Sequence, residues 1–138
     1  MYWHEECFVT ARRTNVRDGM DVLDMNALEV LRSLQDDGED DLLAELIDIF
    51  LDDAPPRIVS MRQALEGEDW PDLASWAHSL KGSCGSLGAV HMADLCAKLE
   101  VLGRTGGGRV EAERLQCELE SQYELVREAL ARERDTTH

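Results

Sequence analysis

An all-α fold, an antiparallel up-and-down four-helix bundle with an additional short N-terminal helix, is what this sequence predicts. Three observations predict it. Apolar residues recur at three- and four-residue spacing through four long stretches. No stretch alternates apolar and polar residues as a half-buried strand would, and no internal repeat occurs. The connections are short and marked by Gly, Asp and Pro, which suits helices that pack against their chain neighbours in opposite directions.

Taken in order, residues 1–19 show no clear periodicity. They read as a flexible extension, locally basic through Arg12, Arg13 and Arg17. Asn26, with Glu29 three residues on, has the form of an N-cap. A short helix to about Leu34 follows, with Leu28 and Leu31 apolar, and Asp36-Asp37-Gly38 ends it. This short helix is expected to cover one end of the bundle.

The next helix is expected to begin near Glu39–Asp41. Its apolar positions are Leu43, Leu46, Ile47, Phe50 and Ala54, then Ile58, Met61 and Leu65. Between Gln35 and Asp53 lie nine acidic residues and no basic one. The first of them favour the positive end of the helix, and the rest form a solvated face. Pro55-Pro56 removes backbone hydrogen bonds, but the apolar period resumes beyond it, so a kinked helix is expected rather than two. Glu66-Gly67-Glu68-Asp69 is a turn. Asp69 or Trp70 caps the following helix, and Pro71 fits its first turn. That helix runs to Leu87-Gly88, with Gly88 a left-handed terminator. The fourth helix, Val90 to Leu102, carries Met92, Leu95, Cys96, Leu99 and Leu102, with Gly103 expected to stop it. The Thr105-Gly106-Gly107-Gly108 run has no preceding strand and no Gly-Lys-Ser/Thr, so it reads as a loop rather than a phosphate cradle. The last helix is expected over Glu111 to Arg132, with Ala112, Leu115, Leu119, Tyr123, Val126 and Leu130 on one face.

Composition excludes several functions. The net charge of −15 opposes binding to nucleic acid or to an anionic membrane surface. No apolar run approaches the length of a membrane span, and the N-terminus lacks the apolar core of a signal peptide. A cytoplasmic protein is expected. The four cysteines, Cys7, Cys84, Cys96 and Cys117, have neither metal-ligand nor redox-motif spacing, and are expected as reduced thiols. No two histidines stand four residues apart as in a helical zinc pair. His4 and His138 lie in the tails, and His91, flanking an apolar stripe with Asp94 one turn on, reads as structural.

The informative stretch is Leu73 to Gly88. At roughly 100° per residue, with His78 set at zero, Leu73, Trp76, Ala77, Leu80, Ser83, Cys84 and Leu87 fall within roughly 80° of the opposite pole. His78 therefore points away from the core. Its own face carries Ala74, Ser75, Lys81, Gly82 and Gly85, all small except the lysine. Two glycines inside a helix cost about 2 kcal/mol relative to alanine. Open ground around an imidazole makes sense if another protein must bring a reactive group up to the ring. Lys81, one turn on, puts a positive charge where an anion on the imidazole would sit. A neutral imidazole is a good nucleophile near pH 7.

Ala77-His78-Ser79-Leu80-Lys81-Gly82-Ser83, followed by Leu87-Gly88-Ala89, Leu95-Cys96 and Leu99-Glu100, resembles the signature of histidine-containing phosphotransfer (HPt) domains of bacterial phosphorelays. The resemblance covers about Leu42 to Glu100. Cys84 stands where serine or alanine is common, and Met92 where leucine is usual; both face the core. The resemblance implies an HPt bundle over residues 20–133 with a polar tail at 134–138. It implies a phosphocarrier rather than an enzyme, taking a phosphoryl group from one receiver-domain aspartate and passing it to another. His78 would be the phosphorylated residue, on Nε2, and Lys81 would steady the phosphoryl oxygens. Ala74, Ser75, Ser79, Gly82 and Gly85 would form the docking patch, with Gly82 leaving room for the receiver's loops. No cofactor or metal of the chain's own is implied; Mg²⁺ and most catalytic groups would come with the receiver. The partners would be response-regulator receivers and a hybrid sensor kinase, and the carrier a monomer. Two alternatives stay open at this point: the phosphoacceptor domain of a chemotaxis-type kinase, and a bundle that docks on a receiver without accepting phosphate.

Overall fold

The computed structural model describes residues 22–34 and 42–136, which form five helices. They are α1 (Met25–Ser33), α2 (Leu42–Glu66), α3 (Trp70–Ser86), α4 (Val90–Thr105) and α5 (Arg109–Thr136). Each of α2, α3 and α4 packs on the next, and α5 returns to pack on both α4 and α2. The ring so closed is the expected four-helix bundle. The core is drawn from all four helices, with Ile47, Ile58 and Met61 of α2, Leu73 and Leu80 of α3, Leu95 and Leu99 of α4 and Leu119 of α5 essentially inaccessible to solvent. Every apolar position expected on the face of α5 is buried. Such side chains contribute about 1.5–3 kcal/mol each when removed from water.

The helix boundaries differ from expectation where a cap acts. Asp24, not Asn26, caps α1: its Oδ1 accepts from the Asn26 N–H at 3.0 Å. The α1 helix is tied to α2 by packing and to α5 by an Arg32–Glu133 ion pair at 2.6 Å. The expected 1–19 extension, the Asp36–Gly38 stop and the Glu39–Asp41 start all lie outside the described residues. The α2 helix runs unbroken past Pro55 and Pro56. Asp69 caps α3 by accepting from the Asp72 N–H at 3.2 Å, with Pro71 in the first turn. Beyond the end of α3, Gly88 takes φ +78°. A Cβ there would stand 2.8 Å from the Asp24 carbonyl oxygen, so only glycine lets the start of α1 cross at this point.

Gly103 does not end α4. The helix continues to Thr105, and Gly106 at φ +71° is the terminator, its N–H donating to the Leu102 carbonyl at 3.0 Å. Gly103 is instead a packing residue inside the helix. The last helix reaches Thr136, into what reads from the sequence as the polar tail.

Two features had no sequence signal. Arg62 of α2 is buried and donates through Nε and Nη2 to both oxygens of Glu120, each at 2.9 Å, and also to Glu113. Gln116 Nε2 completes this α2–α5 clamp by donating to Glu120 and to the Ile58 carbonyl. Cys84 and Cys96 are free and buried as expected. Cys117 is disulfide-bonded, against the expectation of four reduced thiols, and its partner lies outside the described residues.

Candidate functional site

His78 sits near the middle of α3 with its side chain 63% exposed, as the helical period requires of a residue opposite Ala77, Leu80 and Cys84. What the ring touches comes from the neighbouring helix. Glu100 of α4 has a side chain only 8% exposed and sits between three positive or proton-bearing groups. Its Oε1 accepts from Lys81 Nζ at 2.9 Å, and its Oε2 lies 3.1 Å from His78 Nδ1. Arg104, one turn on in α4, also donates to Oε2.

The electrostatics assign the histidine tautomer. The Lys81 hydrogen bond holds the Glu100 carboxyl below its usual pKa; burial opposes this, and the Arg104 and Lys81 charges and the His78 contact add to it. The ionised carboxylate only accepts hydrogen bonds. In the neutral ring Nδ1 must therefore carry the proton, which leaves the Nε2 lone pair for solvent or a reactant.

The surroundings of the ring are of two kinds. Ser75, Ser79, Gly82 and Gly85 are exposed on the His78 face. A Cβ at Gly82 or Gly85 would meet nothing within 4 Å, so no packing inside this chain requires glycine at either position. On the other side a cleft of about 480 Å³ opens beside the ring, lined by Pro71, Ala74, Ser75, His78, Gly103 and Arg104. Ala74 corrects the expectation of a wholly open docking face. It shares the helical azimuth of His78 but is buried, because α4 crosses α3 there with Gly103 against it. Lys81 also differs. It is not a free cation but is already engaged by Glu100, at 38% side-chain exposure.

Glu100 and Arg104 are the site residues that the sequence reading left without a role. Glu100 closes the quoted motif and lies one turn beyond the buried Cys96, an acidic group on an apolar stripe. Such a group demands a cationic partner, and that demand was the signal. His91 is exposed and takes no part. Among the described residues, no helix is long and apolar enough to cross a membrane.

Comparison with known proteins agrees with this geometry. The family model described as Hpt domain matches residues 45–134. Histidine-containing phosphotransfer protein 5 of Arabidopsis thaliana is 38% identical over 74 residues, covering 51% of this chain and 47% of that protein. Phosphorelay intermediate protein YPD1 of Saccharomyces cerevisiae is 32% identical over 85 residues, covering 61% and 50%. The chain thus spans about half the length of these curated relatives. The crystal structure of histidine-containing phosphotransfer protein B (HptB) from Pseudomonas aeruginosa PAO1 superposes with a TM-score of 0.75 at 32% identity, covering 83% of this chain and 96% of that one.

Proposed function

The chain belongs to the Hpt domain family, and from that premise we propose that it is a histidine phosphocarrier of a multistep His–Asp relay. It accepts a phosphoryl group on His78 from a receiver-domain aspartyl phosphate and passes it to the aspartate of another receiver. The observation that carries this reading is the Glu100 carboxylate on His78 Nδ1, which leaves Nε2 as the free nucleophile on an open helix face.

In the forward step the Nε2 lone pair attacks phosphorus, the P–O bond to the aspartyl carboxylate breaks, and the carboxylate leaves with the electron pair. No proton is needed on the leaving group. The ring becomes an Nε2-phosphoimidazolium, and Glu100 faces its Nδ1–H to offset the new positive charge. Lys81 and Arg104 stand beside it as cations that the phosphoryl oxygens can share with Glu100. Reversal onto a second aspartate discharges the carrier. Phosphoryl transfer depends on positioning and charge neutralisation, and this chain supplies the acceptor, two cations and an orienting carboxylate. Mg²⁺ and the remaining groups belong to the receiver, so the protein acts as a carrier without an ATP site of its own. Ser75, Ser79, Gly82 and Gly85 form the ground on which the receiver lands, with no side chain tall enough to hold it off the ring. A monomeric protein served by a hybrid sensor kinase fits this role.

The test is transfer from a phosphorylated receiver, followed by mass spectrometry at neutral or mildly alkaline pH, since phosphohistidine is acid-labile. Phosphate on His78, absent from a folded His78→Gln variant, is the expected result. A folded wild type that stays unlabelled by a panel of receivers overturns the reading in favour of a docking-only module.

A further inference from the structure

The contact that brings Glu100 and Arg104 to the ring is itself unusual. A Cβ placed on Gly103 would stand 2.8 Å from three atoms of α3: Ala74 Cβ, the Ala74 nitrogen and the Trp70 carbonyl oxygen. Two of the three are backbone and have no rotamer with which to step aside. Gly82 and Gly85, on the same bundle, would meet nothing. The helices α3 and α4 therefore touch backbone to backbone at Gly103, and any side chain there must part them. The register makes this matter. Gly103 lies one turn beyond Glu100 and directly before Arg104, while Ala74 lies one turn before His78.

We propose that Gly103 is a positioning residue for the acceptor: by seating α4 on the α3 backbone at Ala74 and Trp70, it sets the reach of Glu100 and Arg104 to His78 and Lys81. The proposal rests on the phosphocarrier reading for its rate prediction, but not for its structural one. To bring the 2.8 Å conflicts out to the 3.4 Å at which ordinary contact begins, the helices must separate by about 0.6 Å. Half of that, carried one turn along α4, lengthens the 3.1 Å contact at Nδ1 beyond the usual hydrogen-bond range of about 2.7–3.2 Å. The ring then loses the acceptor that fixes its proton on Nδ1, and Nε2 is no longer held as the free nitrogen.

The experiment compares wild type, Gly103→Ala and Gly107→Ala, each labelled with ¹⁵N-histidine. Gly107 lies outside the helices and a Cβ there meets nothing, so it controls for the loss of a glycine. Long-range ¹H–¹⁵N spectra read the His78 tautomer, and transfer from a phosphorylated receiver reads the rate. The expected result is an Nδ1–H ring in wild type and Gly107→Ala. In a folded Gly103→Ala variant a mixture of tautomers appears and transfer falls about 10- to 100-fold. A folded Gly103→Ala with the wild-type ring spectrum and rate overturns the proposal. Should that variant not fold, Ala74→Gly thins the same contact from the α3 side; a displaced ring spectrum supports the proposal and an unchanged one refutes it. A wild type that accepts no phosphate would sink the carrier reading alone, because the ring spectra still decide the role of Gly103.

Discussion

Replacing Glu100 in two ways separates its two duties. Glutamine keeps the shape and an oxygen that can accept from His78 Nδ1–H, but removes the charge that holds Lys81 and Arg104. Alanine removes both. For stability the decisive contact is with Lys81, the least exposed of the three partners, at 2.9 Å. A hydrogen bond to a charged group contributes about 1.5–3 kcal/mol. The His78 and Arg104 side chains are 63% and 65% exposed, so water takes over their half of each contact and they add little. Glu100→Gln is therefore expected to cost about 2 kcal/mol, a fall in Tm of about 7 °C for a domain of this size. Its His78 ring should keep the Nδ1–H tautomer, and transfer should drop less than about 10-fold. Glu100→Ala should lose the tautomer preference and drop by about 10- to 100-fold, the scale at which small misplacements act. The pH dependence follows from the same carboxylate. Its pKa is depressed in the folded state, so its contribution is fully present above the ordinary glutamate value of about 4.3 and is lost as pH falls through the lower folded value. Acid unfolding of Glu100→Gln should accordingly show a shallower limb than wild type. Stopped-flow transfer, ring ¹⁵N spectra and urea titrations between pH 3 and pH 7, run on all three proteins, complete the assay. If Glu100→Ala keeps both the tautomer and the rate, the carboxylate is only an ion-pair partner and the reasoning fails.

Three other perturbations have defined outcomes. Arg62→Met leaves Glu120, which is fully buried, without its two 2.9 Å bonds and should cost about 3–5 kcal/mol in urea unfolding, while the folded fraction transfers phosphate as before; a loss below about 1 kcal/mol would show the clamp to be incidental. Gly88→Ala puts a Cβ on a left-handed residue and 2.8 Å from the Asp24 carbonyl, so about 1–2 kcal/mol of backbone strain is joined by displacement of α1. Hydrogen exchange should then speed up across Met25–Ser33, and unchanged protection would refute the contact. Tyr123 is pushed up to about 12, chiefly by burial, with the Glu124 charge adding to it. The folded state thus holds a proton that the unfolded state releases above about pH 10, and stability should fall by about 2–3 kcal/mol between pH 10 and 12. Tyr123→Phe should remove that decline, and an equally steep alkaline limb in the variant would assign it to other groups.

The outward-facing histidine was legible because the period of one helix settles which way one side chain points. His78 opposite Leu80 and Cys84, and Lys81 one turn on, needed nothing else. The apolar face of α5 was legible for the same reason. A helical period does not say where a neighbouring helix crosses, and the misreadings have that origin. Ala74 shares the azimuth of His78 yet is buried, because α4 lies over it. Gly103 has the form of a stop signal but is a point of contact. Glu100 stands within the quoted motif, but its partners His78 and Lys81 are on another helix, 22 and 19 residues away. The Arg62–Glu120 clamp joins residues 58 apart, and no window of sequence contains both.

The exposure of His78 on one face of one helix governs how traffic would pass through the proposed carrier. A single acceptor atom on a single open surface admits one macromolecule at a time. Donor and acceptor of the proposed relay would therefore take turns, and the loaded carrier would leave the first before it meets the second. Steady-state kinetics of such a relay would be ping-pong, with parallel double-reciprocal lines when the donor receiver is varied at several fixed concentrations of the acceptor receiver. Between visits the phosphoryl group would travel with the protein, so the number of copies of this chain would set how much signal is in transit at once.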